Sequence, residues 1–344
     1  MINPSLMGEF LAEFDGIIDV RTPLEYAHSH IPNAINLPVL NNQERTQIGT
    51  IYKQESPLKA KILGASMACK NIAHILASLP DDKPLQALLH HKNKLLVYCA
   101  RGGKRSEALQ NVLCQIGLRI QKLPNGYKGY RNEVLKYLNT PLKQHFITLC
   151  GPTGCGKSEI IQDQSSWSID LEGLARHYGS SFGNVASYKQ GQPTQKMFEN
   201  TLFADLSQKA HLPILLIEAE SRKIGALTIP RNLFNAYQSH TIILIQAPLE
   251  SRIQRIVKMY QNITETSFAL GMQTIKPYIS HHIFYEIQSL WKQKALDKIA
   301  MILIEKYYDK VYRIPNYTHT LTHTNLPTTI PTLLAIKNHL SQTL

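Results

Sequence analysis

One eight-residue stretch, Gly151-Pro152-Thr153-Gly154-Cys155-Gly156-Lys157-Ser158, restricts the fold of this chain more than any other feature. Glycines at its first and sixth positions let consecutive backbone N–H groups wrap phosphate oxygens, Lys157 neutralises them, and Ser158 is in reach of a magnesium ion. A loop of this kind works between a strand and the helix that follows it. The flanks comply, with the apolar run Phe146-Ile147-Thr148-Leu149-Cys150 before the loop and a helical pattern after it. Gly151, Gly154, Gly156, Lys157 and Ser158 are therefore the candidate phosphate ligands.

A second strand–loop–helix unit lies upstream. Leu95-Leu96-Val97-Tyr98 runs into Cys99-Ala100-Arg101-Gly102-Gly103-Lys104-Arg105-Ser106, and Ala108, Leu109, Val112 and Leu113 then fall on one helical face. Between the two units, Asn139-Thr140-Pro141 breaks the helical pattern that ends near Tyr137. We place the domain boundary there, with residues 1–138 before it and 145–344 after it; 344 residues suit two domains of roughly 150. Strand candidates alternate with helices in both halves: Gly16–Val20 and Leu95–Tyr98 in the first, and Phe146–Cys150, Trp167–Asp170, Leu212–Glu218, Thr241–Ala247 and Lys310–Ile314 in the second. This alternation predicts two α/β domains with parallel sheets, whose active residues sit at the carboxyl ends of the strands. The run Thr318–Thr332 reads as loop before a short last helix.

Thirty-seven Lys and Arg against 25 Asp and Glu give a formal charge of +12, which attracts polyanions, so nucleic acid becomes a candidate partner. No apolar run approaches the ~20 residues that span a bilayer. Acidic Glu9, Glu13 and Asp15 stand where a signal peptide would be basic, so we expect a cytoplasmic protein with no membrane partner. The five cysteines form no C-x-x-C pair and no zinc-ligand spacing, which predicts reduced thiols and no stable metal site.

Among these thiols Cys99 stands apart. It follows a strand directly and precedes a helix, so loop N–H groups point at its sulfur. Arg101, Gly102, Gly103, Lys104, Arg105 and Ser106 surround it with small residues and cations, a setting that favours the thiolate, as nucleophile or sulfur carrier, over an inert buried thiol. Cys69 and Cys114 read as apolar helix-face residues, Cys150 ends a strand, and Cys155 fills a variable loop position. Near the phosphate loop, Asp170, Glu218 and Glu220 are candidate magnesium ligands or bases, and Arg222 a candidate phosphate ligand. His177 suits a contact to tRNA or to a diphosphate as well as a solvated helix end. Tyr127, Tyr130 and Arg131 suit either the thiol site or the core.

The first half resembles rhodanese domains. The opening is Ile17-Ile18-Asp19-Val20-Arg21-Thr22-Pro23-Leu24-Glu25-Tyr26 with His28–Asn36, the active-site loop is Cys99–Ser106, and the closing segment is Gly126-Tyr127-Lys128-Gly129-Tyr130-Arg131. The segment between Leu40 and Lys94 is an insert that a plain rhodanese domain does not need. With Asp170-Leu171-Glu172-Gly173-Leu174-Ala175, Gly179-Ser180-Ser181-Phe182-Gly183, Glu218-Ala219-Glu220-Ser221-Arg222-Lys223-Ile224-Gly225 and the insert residues Glu44-Arg45…Gly49-Thr50…Tyr52-Lys53-Gln54, the chain resembles the bacterial tRNA 2-selenouridine synthases. The resemblance implies a rhodanese-like domain followed by a P-loop NTPase-like domain, and a sulfur- or selenium-handling role for Cys99. It also implies replacement of the 2-sulfur of wobble 2-thiouridine in tRNA by selenium. Selenophosphate and geranyl diphosphate would be co-substrates, and a selenophosphate-producing enzyme a partner. ATP stays open, because Gln246-Ala247-Pro248-Leu249-Glu250 with Arg252 and Arg255 also resembles the late strand and helix of small-molecule P-loop kinases. Ala219, Glu55-Ser56-Pro57 and Pro124-Asn125-Gly126 depart from the synthase pattern.

Overall fold

Two parallel sheets organise the chain. The computed structural model describes residues 4–78, 81–183 and 191–343. The chain forms two compact units, the first from Met1–Leu138 with Thr194–Ser207 and the second from Asn139–Pro193 with Gln208–Leu344.

In the first unit, β1 (Gly16–Asp19), β2 (Ala34–Asn36), β3 (Lys94–Tyr98) and β4 (Arg119–Lys122) pair all-parallel in the order β2-β1-β3-β4. Strands β1 and β3 are central, and their apolar residues Ile18, Leu95 and Val97 join Leu109 and Leu113 of the helix Lys104–Gln115 in one core. β2 and β4 escaped the sequence analysis because they are short edge strands, in which Ala34 and Ile120 are the only buried residues. The insert supplies the helices Asn42–Gln54, Pro57–Ser78 and Lys83–Leu88. The first of these starts at a reciprocal cap: Asn41 Oδ1 accepts from the Glu44 N–H, and the Glu44 carboxylate accepts from the Asn41 N–H.

Beyond β1, the opening motif forms a buried ion pair. Arg21 donates through Nε and Nη2 to the Asp19 carboxylate at 2.6–3.0 Å and to the Ser29 carbonyl at 2.7 Å. Its guanidinium lies 3.9 Å from the centroid of the Tyr127 ring. Burial opposes the charge on Arg21, but its hydrogen bonds to Asp19 outweigh that cost and raise its pKa. Arg21 thereby ties the opening segment to the closing helix Gly126–Leu138, because a buried charge must keep its partners.

The second unit has a five-stranded parallel sheet in the order His319–Thr322, Thr241–Gln246, His145–Cys150, Ile214–Glu218, Ser168–Ile169. Its strands are β5 (His145–Cys150), β6 (Ser168–Ile169), β7 (Ile214–Glu218), β10 (Thr241–Gln246) and β11 (His319–Thr322); β8 (Lys223–Ile224) and β9 (Leu227–Thr228) form a separate antiparallel ribbon. Central β5 carries the phosphate loop, with Ile147 and Leu149 in the core beside Ile160 and Ile161.

Two expectations require correction. Lys310–Ile314 is not a strand: Ile304–Tyr308 is a π-helical turn, and the helix Asp309–Val311 follows it directly. Arg252 holds Asp309 through two hydrogen bonds of 2.9 and 2.6 Å, and the Tyr312 hydroxyl accepts the Gly151 N–H at 2.7 Å, so tertiary partners override the alternating pattern of that segment. The fifth strand lies instead inside Thr318–Thr332, and the last helix, Leu326–Thr343, is 18 residues long. Only Leu321 of β11 is buried, so this edge strand carries almost no apolar signature. Among the described residues, no helix is long and apolar enough to cross a membrane.

The helix Gln195–Gln208 contributes most of its length to the first unit, although 56 residues of the chain (139–194) separate it from Leu138. Asn200, fully buried, accepts from Arg131 at 2.5 Å and donates to the His30 carbonyl at 2.7 Å and the Tyr127 hydroxyl at 2.9 Å. Glu199 pairs with the same Arg131. Asn200→Ala takes this partner from the His30 carbonyl and the Tyr127 hydroxyl and one acceptor from Arg131, and is expected to cost about 3 kcal/mol. Hydrogen exchange of the Tyr127–Leu138 amides in the intact chain checks this; unchanged protection would show that the helix merely abuts the unit.

Candidate functional site

The thiol site sits at the carboxyl end of β3. Cys99 is 3% exposed, and its sulfur receives the Gly103 N–H at 3.2 Å and the Ser106 hydroxyl at 3.3 Å. Burial would push the thiol up, but the Ser106 hydroxyl, the N–H groups of Arg101 and Ser106, and the charge of Arg105 together hold its pKa below the ordinary value. The cations divide by role. Arg105 is clamped to Glu25 by bonds of 2.6 and 3.2 Å, so it braces the loop, whereas Arg101 and Lys104 are exposed. Gly126 closes the site from behind: with φ +55°, a Cβ there would overlap the Cys99 carbonyl oxygen and the Gly102 N–H. That close approach lets the N–H groups of Tyr127 and Lys128 cap the carbonyls of Cys99 and Ala100, both at 2.9 Å. Tyr127, Tyr130 and Arg131 are buried structural residues here. Cys69 and Cys114, read as apolar-face residues, are exposed, and Cys150 and Cys155 are buried.

The phosphate loop lies at the carboxyl end of β5, on a cavity of about 1640 Å³. Lys157, Ser158, Glu172, Glu220 and Arg222 line it, with the rings of Tyr178, Tyr308 and Tyr312. Lys157 Nζ donates to the Gly151 carbonyl at 2.7 Å. Burial works against the charge of Lys157, but Cys155, Tyr312, Glu220 and Glu172 outweigh it and raise its pKa, so the lysine stays cationic. Gly156, at φ +95°, lies against His323: a Cβ there would overlap the imidazole. The ring is held by Thr329 Oγ1 at 2.7 Å and Glu159 at 3.2 Å.

The four acidic residues separate by position. Glu218 is 1% exposed; one carboxylate oxygen accepts the Glu172 N–H at 2.7 Å and the other has no partner. Burial, then the charge of Glu172, raises its pKa. Asp170 caps the helix Leu171–Ala175 through the Gly173 N–H at 2.7 Å. Glu220 faces the cavity, and so does Glu172, which the sequence analysis quoted in a motif but did not choose. Glu172 accepts from the Ser158 hydroxyl at 3.0 Å, and burial together with Glu220 pushes its carboxyl up to about 8. A side chain at Gly179 would meet Glu172 Oε1 at 2.5 Å and Glu220 Oε2 at 2.7 Å, so the two carboxylates flank that glycine. Arg222 is exposed on the cavity rim. His177 packs its ring against Gly183 and accepts the Gly179 N–H at 3.2 Å, which makes it a brace of that turn.

A family profile described as the tRNA 2-selenouridine synthase AAA domain matches residues 144–293, and one for the rhodanese-like domain matches residues 6–133. The tRNA 2-selenouridine synthase of Shewanella loihica is 31% identical over 345 residues, covering 91% of this chain and 90% of the relative. That of Proteus mirabilis is 31% identical (88% and 89% covered), and that of Psychromonas ingrahamii 32% (78% and 73%). The chain belongs to the tRNA 2-selenouridine synthase family. It is an enzyme of that type, with a rhodanese domain ahead of a P-loop-type domain. The Ala219 departure from the synthase pattern has a local answer, since Glu172 brings a second carboxylate to the cavity beside Glu220.

Two outcomes follow from this geometry. Because donors stabilise the thiolate, the rate of iodoacetamide labelling at Cys99 should reach half-maximum at lower pH than at Cys69 or Cys114. Ser106→Ala removes a donor and should move that midpoint upward, while Cys150, pushed up to about 11, labels last. Mass spectrometry of labelled peptides across pH decides it, and identical profiles for all five thiols would refute it. Gly156→Ala meets both the left-handed backbone and the His323 ring, and should abolish pyrophosphate binding measured by calorimetry.

Proposed function

We propose that this chain replaces the 2-sulfur of the wobble 2-thiouridine of tRNA by selenium from selenophosphate, through an S-geranylated intermediate made from geranyl diphosphate. The observation that carries the reading is the occurrence, in one chain, of a donor-ringed thiol at β3 and a lysine-bearing phosphate loop at β5. The order of steps follows from leaving-group chemistry. Thiouridine sulfur is a poor leaving group, whereas an alkylated sulfur departs as a thiol when selenium attacks the ring carbon. Alkylation therefore comes first.

In that step the sulfur attacks the first carbon of the geranyl group, the carbon–oxygen bond breaks, and pyrophosphate leaves with the electron pair. Lys157 and the loop N–H groups match the charge that develops on the departing oxygens. A cavity of about 1640 Å³ exceeds the ~300–1,000 Å³ of a single small-ligand site and accommodates both a diphosphate and a nucleobase. Next to Thr153, the side chains of Phe182, Ile256, Phe268 and Trp291 line a small apolar pocket, the surroundings a hydrocarbon tail requires. The hard oxygen donors of Ser158, Glu172 and Glu220 fit a magnesium ion, which would add charge neutralisation for a bound diphosphate. In the second step the selenium of selenophosphate attacks the ring carbon, the carbon–sulfur bond breaks and the geranyl thiol leaves, and water cleaves the phosphorus–selenium bond to release phosphate; the donor-ringed Cys99 site holds or delivers the selenium donor for this attack.

Lys157→Ala is expected to abolish geranylation and everything after it. Cys99→Ser is expected to abolish selenation while S-geranyl-uridine still forms. Chromatography of tRNA nucleosides after incubation with each variant, with the two co-substrates supplied separately and together, is the test. Loss of geranylation in a folded Cys99→Ser protein that still binds tRNA would refute the division. A strict requirement for ATP would favour the kinase-like reading, for which Arg252 and Arg255 beside the loop speak.

A further inference from the structure

We propose that the stripe Arg45–Gly49–Tyr52–Lys53 on the helix Asn42–Gln54 is a docking surface for the tRNA; this deepens the function proposed above and rests on tRNA being the substrate. The four positions, at i, i+4, i+7 and i+8, fall along one side of the helix. Arg45, Tyr52 and Lys53 are all exposed, Tyr52 by 54%. Among the described residues, no hydrogen bond or ion pair holds any of these three side chains. The acids nearby are engaged elsewhere: Glu44 accepts from the Asn41 N–H at 2.8 Å and from Asn71 at 2.7 Å, and Glu55 pairs with Lys59 at 2.5 Å. The stripe thus presents two uncompensated cations and an open aromatic ring.

Gly49 is the second, independent observation. A glycine inside a helix weakens it, and here nothing in the fold requires one. Its φ is not positive, and a Cβ would meet only the end of the flexible Arg45 side chain, at 3.4 Å from Nη1. The helix backbone at Gly49 carries no side chain of its own and is covered only by the end of the flexible Arg45 side chain, so a shift of that side chain admits the close approach of another backbone. Cations for phosphates, a ring for a base and a gap for the sugar–phosphate chain together describe a nucleic-acid strand. From Arg45 to Lys53 the stripe runs about 12 Å, or about three nucleotide rises at ~3.4 Å. Its start adjoins the thiol site through two contacts: Asn42 accepts the Leu24 N–H at 3.1 Å, and the next residue, Glu25, clamps Arg105.

The test uses the full chain and bulk bacterial tRNA, with affinity measured by fluorescence anisotropy across salt. Arg45→Ala/Lys53→Ala should weaken binding about tenfold or more at 0.15 M salt and reduce the log–log salt slope by about two. Tyr52→Ala should weaken binding about tenfold with the slope unchanged. Gly49→Gln should raise the melting temperature yet weaken binding. The charge-matched control Lys298→Ala/Lys306→Ala should leave affinity nearly unchanged. Gly49→Gln that melts higher and binds tRNA like the parent overturns the proposal, as does an equal loss in the control. So does an assembly of two chains that Tyr52→Ala dissociates without loss of tRNA affinity. A parent chain with no affinity for tRNA would instead overturn the function on which the proposal rests.

Discussion

Backbone N–H groups at the carboxyl ends of buried parallel strands have no ladder partner beyond the strand, and both candidate sites are built on that constraint. The chain must turn sharply enough to aim those donors at one point. At β3 the point is the Cys99 sulfur, reached by the Gly103 N–H and the Ser106 hydroxyl. At β5 the turn is a glycine-rich loop whose lysine donates to the loop's own Gly151 carbonyl. Gly126 and Gly156 are two of the places where this geometry excludes a side chain, because each turns with positive φ against an occupied neighbour.

The excess of positive charge is distributed between two duties. Arg105, Arg131 and Arg252 hold Glu25, Glu199 and Asp309 respectively and so fasten segments distant in sequence, while Arg21 holds Asp19 two residues away. These pairs fix geometry, because removing one partner strands the other. Arg101, Lys104, Arg45, Lys53 and Arg222 remain exposed, and they supply the field that a polyanion meets.

In the phosphate-loop cavity, burial sorts the acids. Glu218 at the end of β7 is the residue a strand-end acid rule selects, yet it is sealed and spends an oxygen on the Glu172 N–H. That bond orients the start of the helix Leu171–Ala175 and brings the Glu172 carboxylate to the Ser158 hydroxyl. One buried acid thus positions the carboxylate that faces the ligand space, as in other sites where outer groups orient inner ones.

The sequence by itself determined the two α/β halves, the two strand–loop–helix units and the residues Cys99, Lys157 and Ser158. Each of these is local: the strand, turn and helix that create the site are contiguous, so their chemistry is written in consecutive residues. Only the tertiary structure decided what depends on distant partners. Glu172 became a site residue through contacts across 14 and 46 residues that no spacing rule encodes. The helix Gln195–Gln208 joined the first unit because Arg131 and Tyr127 needed partners that Glu199 and Asn200 supply. β11 formed where only Leu321 is buried, because an edge strand is held by backbone pairing to β10, and backbone hydrogen bonds leave no mark on the pattern of side chains.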